Sequence, residues 1–426
     1  MLTWHQRRVL GLALVESFML SAHYAVFMPF YPNVAEEKGN TPLETGMFFA
    51  AGSVVGLVGS PLVGVLLKRG FAPKRMVTLG LILSGVFLVI HGFYKDLFKG
   101  GREFFYANLG TKIVHSTGPV MATTAIYPIV AVELGESRGR YLPFLEAMYN
   151  GGLMIWPCVG SILYDKFGYT FPFVSVGLSS LVLCVILMIF LPNPKKAELL
   201  PGLGKNSGGS TMDLTLFLLL ANIAMCYLII GFNDITLSTE LAIFRLNHTE
   251  VGFCFAVAPV CYGACIYMWG LLSKARRGQF LAISIGFALS VGGLFFLAPC
   301  RLLTIEPTLH VRLLGQALMG IGLAALFTSS MVFGMQYVTE GLRMDDDVAT
   351  HGYFSSLVFF SLSFGYVVGH AGFAGLLLNE IGYENVILLI VLSALILFLF
   401  NLIQTCIFES IPSRRGYESI NGTNHT

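Results

Sequence analysis

The chain has 426 residues, of which 55% are hydrophobic and 12% charged, with a mean hydropathy of +0.74 and a formal net charge of +2. A soluble domain cannot hide that much apolar surface from water, so the composition excludes one and calls for an integral membrane protein. Eight cysteines fall within or at the ends of the apolar runs without zinc-type spacing, and they define neither a redox compartment nor a metal site.

A bilayer crossing takes roughly 20 apolar residues of helix. In chain order, twelve such stretches are expected at 8–31, 44–67, 74–94, 103–133, 141–164, 171–192, 213–241, 250–273, 280–300, 311–338, 349–378 and 385–408. The first is longer than the core of a cleaved signal peptide and lacks a clear small-residue cleavage site, so it reads as the first span. After the sixth comes Pro192-Asn193-Pro194-Lys195-Lys196 and then a Gly- and Ser-rich run from Pro201 to Ser210, a flexible polar stretch. The expected organisation is a six-helix bundle over 1–192, a linker over 193–212, a second six-helix bundle over 213–408 and a tail over 409–426. Lys and Arg gather in the tails and even-numbered loops, as at Arg7, Arg8, Lys74, Arg75, Lys195, Lys196, Arg276 and Arg277. Both termini and the linker are therefore expected in the cytosol.

The two halves echo each other. Gly64-Val65-Leu66-Leu67-Lys68-Arg69 recurs as Gly270-Leu271-Leu272-Ser273-Lys274-Ala275, 206 residues later and again between two apolar runs. Tyr164-Asp165-Lys166-Phe167-Gly168-Tyr169 closes the fifth span, and Leu378-Asn379-Glu380-Ile381-Gly382-Tyr383 closes the eleventh. A repeat of this period in an apolar chain is the mark of a duplicated transporter.

Ionisable side chains at bilayer depth are costly unless they face a polar cavity or a partner, so they are the candidates for function. Glu16, Lys112, Glu146 and Asp234 each interrupt an apolar run. A carboxylate there can take up a proton or pair with an ammonium, and competition between the two for one site is a simple device for exchange. The alternative is a structural ion pair, most naturally with Lys112, and for Glu16 a snorkelling or helix-packing role. His23, His115 and His370 also fall in spans, where they either relay protons or hydrogen-bond a neighbouring helix; His115 follows Lys112 on the same helical face. Tyr24, Tyr127, Tyr149, Trp156, Tyr227 and Phe232 could present ring faces to a cationic ligand, or serve as packing residues. No phosphate-binding loop, nucleophile elbow, dinucleotide fingerprint or metal motif is visible, so neither an enzyme nor a cofactor is expected.

Over nearly its whole length the chain resembles the major facilitator superfamily. The repeated loop stands where that family carries a glycine, an acidic residue and basic residues, with Lys68 and Lys274 in place of the usual aspartate. Trp156-Pro157-Cys158-Val159-Gly160-Ser161 resembles the fifth-helix antiporter signature. Within the superfamily the chain is most similar to the vesicular amine and polyamine transporters, through Pro29-Phe30-Tyr31-Pro32, Ala35-Glu36-Glu37-Lys38-Gly39, Leu145-Glu146 and Phe232-Asn233-Asp234-Ile235-Thr236-Leu237. The resemblance implies an all-α major facilitator fold of twelve transmembrane helices in two pseudo-symmetric six-helix bundles. It also implies export of cationic amines in exchange for protons across a vesicular or endolysosomal membrane. Lys112 occupies the fourth-helix place where the family carries an arginine that organises proton coupling. An acidic residue in the repeated loop helps latch the cytosolic side in that family. Here Gly64, Lys68, Arg69, Gly270 and Lys274 would form the gating loops, with Asp345, Asp346 and Asp347 as partners in a charge-swapped latch.

The expected partners are a small-molecule substrate, protons and the bilayer, with the chain a monomer and no nucleic acid involved. Two open alternatives are a facilitator or symporter for a neutral or anionic solute, and a non-transporting receptor or scaffold with a transporter fold. Tyr417 and Ile420 match a tyrosine-based sorting pattern that cytosolic adaptors read. Asn247 heads a glycosylation sequon in a loop expected to be lumenal.

Overall fold

Runs of Leu, Ile, Val, Phe and Ala that are apolar all round cannot fold in water as surface helices; in lipid they must satisfy every backbone group internally. In the computed structural model, residues 2–137, 141–192, 213–273, 276–297, 308–342, 344 and 348–409 are described. Among these, the apolar runs form twelve long helices. In the first half they are α1 (Trp4–Ala25), α2 (Pro42–Lys68), α3 (Pro73–Gly92), α4 (Gly101–Leu134), α5 (Pro143–Phe167) and α6 (Thr170–Phe190). In the second half they are α7 (Leu214–Leu241), α8 (His248–Leu272), α9 (Arg276–Leu297), α10 (Leu309–Gln336), α11 (Val348–Val367) and α12 (Tyr383–Glu409). Beyond its α-helical part, α11 continues with π winding over Val368–Leu377 and one more α turn, Leu378–Ile381.

The helices fall where the apolar runs predict, with one instructive difference. The first run predicts helix through residue 31, but α1 ends at Ala25 and the chain turns before the short helix Tyr31–Glu37. Pro29 and Pro32 explain the break, because a proline inside a helix removes a backbone hydrogen bond and clashes with the preceding turn. By length and composition ten of the helices are apolar enough to cross a membrane among the described residues. The other two, α1 and α5, pack against each other. On α1, Glu16, Ser17, Ser21 and His23 are all buried, so its lower hydropathy reflects an interior position.

Packing repeats between the halves. In the first, α1 lies on α5, α2 on α4, and α3 on α4 and α6; in the second, α7 lies on α11, α8 on α10, and α9 on α10 and α12. The outermost faces, such as Val182, Val185 and Ile189 of α6 or Leu392, Ile396 and Ile403 of α12, are exposed apolar surface suited to lipid. The halves meet through α2 with α11 and α5 with α8.

This contact is itself duplicated. Helix α2 opens with a capping box, Thr41 and Glu44, and α8 opens with another, Asn247 and Glu250. Two residues after each box glutamate stands a glycine. A β-carbon on Gly46 would collide with the carbonyl oxygen of His370 in α11, and one on Gly252 would stand 2.6 Å from the Ser161 hydroxyl oxygen in α5. Close backbone approach through small residues is the usual way membrane helices associate. Beside Gly252, the Asp165 carboxylate at the end of α5 accepts from the backbone N–H and hydroxyl of Thr249 at 2.6 and 2.5 Å, and the rings of Tyr164 and His248 lie 4.2 Å apart.

Gly46→Val and Gly252→Val should each lower the thermal unfolding midpoint of the purified protein, at a cost of about 1–3 kcal/mol for overpacking a closed contact. Gly64→Val, where a β-carbon would meet nothing within 4 Å, should leave the midpoint within about 0.5 kcal/mol of the parent.

Candidate transport site

Two tyrosine pairs, one from each half, frame the junction of the bundles. Tyr24 of α1 and Tyr149 of α5 meet edge to face at 6.4 Å, and Tyr227 of α7 and Tyr366 of α11 do so at 5.0 Å. The hydroxyl of Tyr366 lies within electrostatic reach of Tyr24, Tyr149, Tyr227 and Asp234, so the two pairs converge on one region. One turn on, His370 stacks on Tyr366 at 5.2 Å and 14° and also meets Phe49 of α2 at 5.6 Å. Its Nε2 lies 3.8 Å from the Asp234 carboxylate, within ion-pair range but beyond a hydrogen bond. Asp234 is 8% exposed, about two turns before the C-terminal end of α7. His370 lies in the π-wound stretch, a winding frequent at functional sites.

The first half holds a second polar cluster. The Lys112 ammonium stands over the ring faces of Phe27, Phe48 and Tyr24 at 4.4, 5.2 and 5.6 Å. Three residues on, His115 shares a 2.9 Å hydrogen bond with His23 of α1, whose other ring nitrogen pairs with Ser180 of α6 at 2.7 Å. The ion pair with Lys112 that stood as the alternative reading is not found among the described residues, where the partners of this ammonium are aromatic. The snorkelling role open to Glu16 is also overturned: its side chain is fully buried, and neither carboxylate oxygen has a hydrogen-bond partner. Snorkelling needs a head group that reaches the interface, and Glu16 faces inward.

The remaining candidates are distributed elsewhere. Trp156 ties α5 to α1, its indole N–H donating to the Phe18 carbonyl at 2.9 Å. Phe232 is buried in the second bundle and stacks on Tyr383 at 5.7 Å, while Tyr127 packs on the core of the first bundle. Gly64 and Gly270 lie near the ends of α2 and α8, and Arg69 is exposed just after α2. Asn247 serves as the N-cap of α8, its side-chain oxygen accepting from the Glu250 N–H at 2.8 Å. The side chains of Glu146 and Lys68, and the whole of Lys274, Asp345, Asp346, Asp347, Tyr417 and Ile420, lie outside the described residues.

Three participants escape sequence reasoning. Tyr366 carries a signal, since it stands four residues before His370 on one helical face. His91 interrupts the third apolar run as His115 does the fourth, and its ring lies 5.4 Å from Phe48. Arg312, at the start of the tenth apolar run, is 6% exposed in α10 and pairs with Glu240 of α7 at 3.2 Å. Only the fold brings that pair together.

Two pseudo-symmetric bundles of six helices, with an aromatic and acidic site at their junction, define a membrane transporter. The chain belongs to the major facilitator superfamily, whose family model matches residues 14–343. The rat MFS-type transporter SLC18B1 is 27% identical over 371 residues, covering 85% of this chain and 78% of the relative. The bovine synaptic vesicular amine transporter is 23% identical over 358 residues, covering 83% of this chain and 64% of the relative. Among solved structures, a bacterial homologue of the human lysosomal transporter Spinster, inward-facing and occupied, superposes with a TM-score of 0.74 at 13% identity, covering 95% of this chain and 98% of that one. The nucleoside transporter NupG does so with 0.68 at 13% identity, covering 94% and 98%. Identities this low speak for the fold alone.

Replacing the α8 cap, Asn247→Ala, should destabilise the protein by about 0.5–2 kcal/mol, read as a lower thermal midpoint. Asn247→Asp keeps a capping oxygen and should recover most of that loss.

Proposed function

We propose that the protein is a secondary active transporter that exchanges a small organic cation, such as a monoamine or polyamine, for protons. It works by rocking its two bundles, 1–192 and 213–408, around the junction site, with 193–212 as a cytosolic linker and 409–426 as a cytosolic tail. The observation that carries this reading is Asp234, a buried carboxylate in ion-pair range of His370 and in electrostatic reach of Tyr366, which is itself in reach of Tyr227 of its own half and of Tyr24 and Tyr149 of the other. An ammonium entering there gains a counter-charge from Asp234 and faces of the tyrosine rings, each face worth about 0.5–2 kcal/mol when desolvated. A proton on Asp234 removes that counter-charge, so proton and amine exclude each other. His370 holds the carboxylate when no amine does. The amine transporter among the relatives supports the substrate class.

The same relatives support a vesicular or endolysosomal membrane, with Tyr417 and Ile420 read by sorting adaptors and the basic loops facing the cytosol. Glu146 and Glu16 are further proton-handling candidates, and the chain is taken to act as a monomer.

In proteoliposomes with an acidic interior, the wild-type protein should accumulate a labelled monoamine or polyamine, and dissipating the proton gradient should abolish uptake. Asp234→Asn should cut uptake at least tenfold while the protein still folds; unchanged uptake in this variant would sink the proposal. Tyr366→Ala should weaken apparent amine affinity about 2- to 30-fold, the range expected for losing one cation–π face. Tyr366→Phe should retain most of it.

A further inference from the structure

Inside the first bundle lies a small cavity whose lining differs from the residues around Asp234: Phe27, Phe48, Leu88, His91, Lys112 and His115. Four segments meet there: the turn after α1, α2, α3 and α4. It has room for about one small, compact occupant.

Its polar lining can present donors from three side chains, with the two histidines doing so in one of their tautomers. Lys112 offers three N–H donors and no acceptor. The Nε2 of His91 has no hydrogen-bond partner although the side chain is 4% exposed. His115 is tied through Nε2 to His23 and onward to Ser180. When Ser180 donates to His23 and His23 donates to His115, the His115 proton sits on Nδ1 and supplies another donor.

The charge balance points the same way. Taking an ammonium out of water costs several kcal/mol. Faces of Phe27, Phe48 and Tyr24 return about 0.5–2 kcal/mol each. No carboxylate lies in ion-pair range among the described residues. The other polar groups packed around the cluster, His23 of α1, Ser116 of α4 and Ser180 of α6, carry no negative charge to offset it. A mobile anion supplies what the described residues do not.

We infer that this cavity is a binding site for one small monovalent anion of chloride size, held by the Lys112 ammonium with His91 and His115 as further donors. The size of the cavity selects against bulky anions. The site goes beyond amine exchange and does not depend on it.

The test uses the full-length protein in detergent at fixed pH and ionic strength, with chloride or bromide exchanged for gluconate and unfolding followed thermally. Chloride should raise the midpoint saturably, by about 2–4 °C at saturation, while gluconate does not. Lys112→Met should abolish the chloride response. His91→Phe, which keeps the ring volume and removes the donor, should raise the half-saturating chloride concentration at least fivefold, and it serves as the arbiter if the lysine variant does not fold. Equal midpoints in chloride and gluconate would overturn the inference. A folded Lys112→Met or His91→Phe protein with the parent's chloride response would do the same. Because no transport is measured, failure here leaves amine exchange standing, and a failed uptake assay leaves the anion site standing.

Discussion

At Gly46 and Gly252 the backbone of one half comes so close to the other half that no side chain fits between them. The neighbouring features depend on that contact. With α2 held against the carbonyl of His370, Phe49 reaches the His370 ring, and that ring is held between Phe49, Tyr366 and Asp234. At the symmetry-related contact, Gly252 lies against Ser161, and the α8 cap comes within reach of Asp165 at the end of α5. Each glycine follows a capping box, so the start of the helix is fixed just where its close approach begins.

The bilayer imposes a second constraint, that a buried charge must find compensation inside the protein. The structure answers it in different ways at different places. Arg312 and Glu240 form a direct pair. Asp234 and His370 sit in range without a tight bond, an arrangement another cation can compete with. Lys112 has aromatic faces around it and shares its cavity with the unpartnered His91 Nε2, and Glu16 has no hydrogen-bond partner for either oxygen. Tight pairs serve cohesion; the looser and unpaired groups are where protons, amines or anions can act.

Much of this is legible in the residues. Span positions follow from runs of apolar side chains, and the two-bundle layout from the repeated loop and the polar linker. Tyr24, Tyr149, Tyr227, Asp234 and His370 can be named because polar or amphipathic groups stand out against an apolar background. Their partners cannot, since Phe27 and Phe48 meet Lys112 from other segments and Arg312 meets Glu240 across two helices. An acid stands as an alternative partner for Lys112 because sequence shows charge but not ring orientation. One further signal becomes readable only with the fold in hand: Thr41-Pro42-Leu43-Glu44-Thr45-Gly46 and Asn247-His248-Thr249-Glu250-Val251-Gly252 share a pattern of cap, box glutamate and contact glycine at the repeat period.

The π-wound end of α11 has a mechanical meaning. Backbone bonds there span five residues instead of four, so the stretch carries slack that an α-helix of the same length lacks. Because a π turn holds more residues than an α turn, returning residues to α winding rotates everything beyond them while the bonded ladder stays complete. His370 lies within this stretch and Val368 at its start, while Gly375 near its far end lies against Leu43 of the other half. A torsional joint has thus been set into the helix that joins the histidine beside Asp234 to the seam between the bundles.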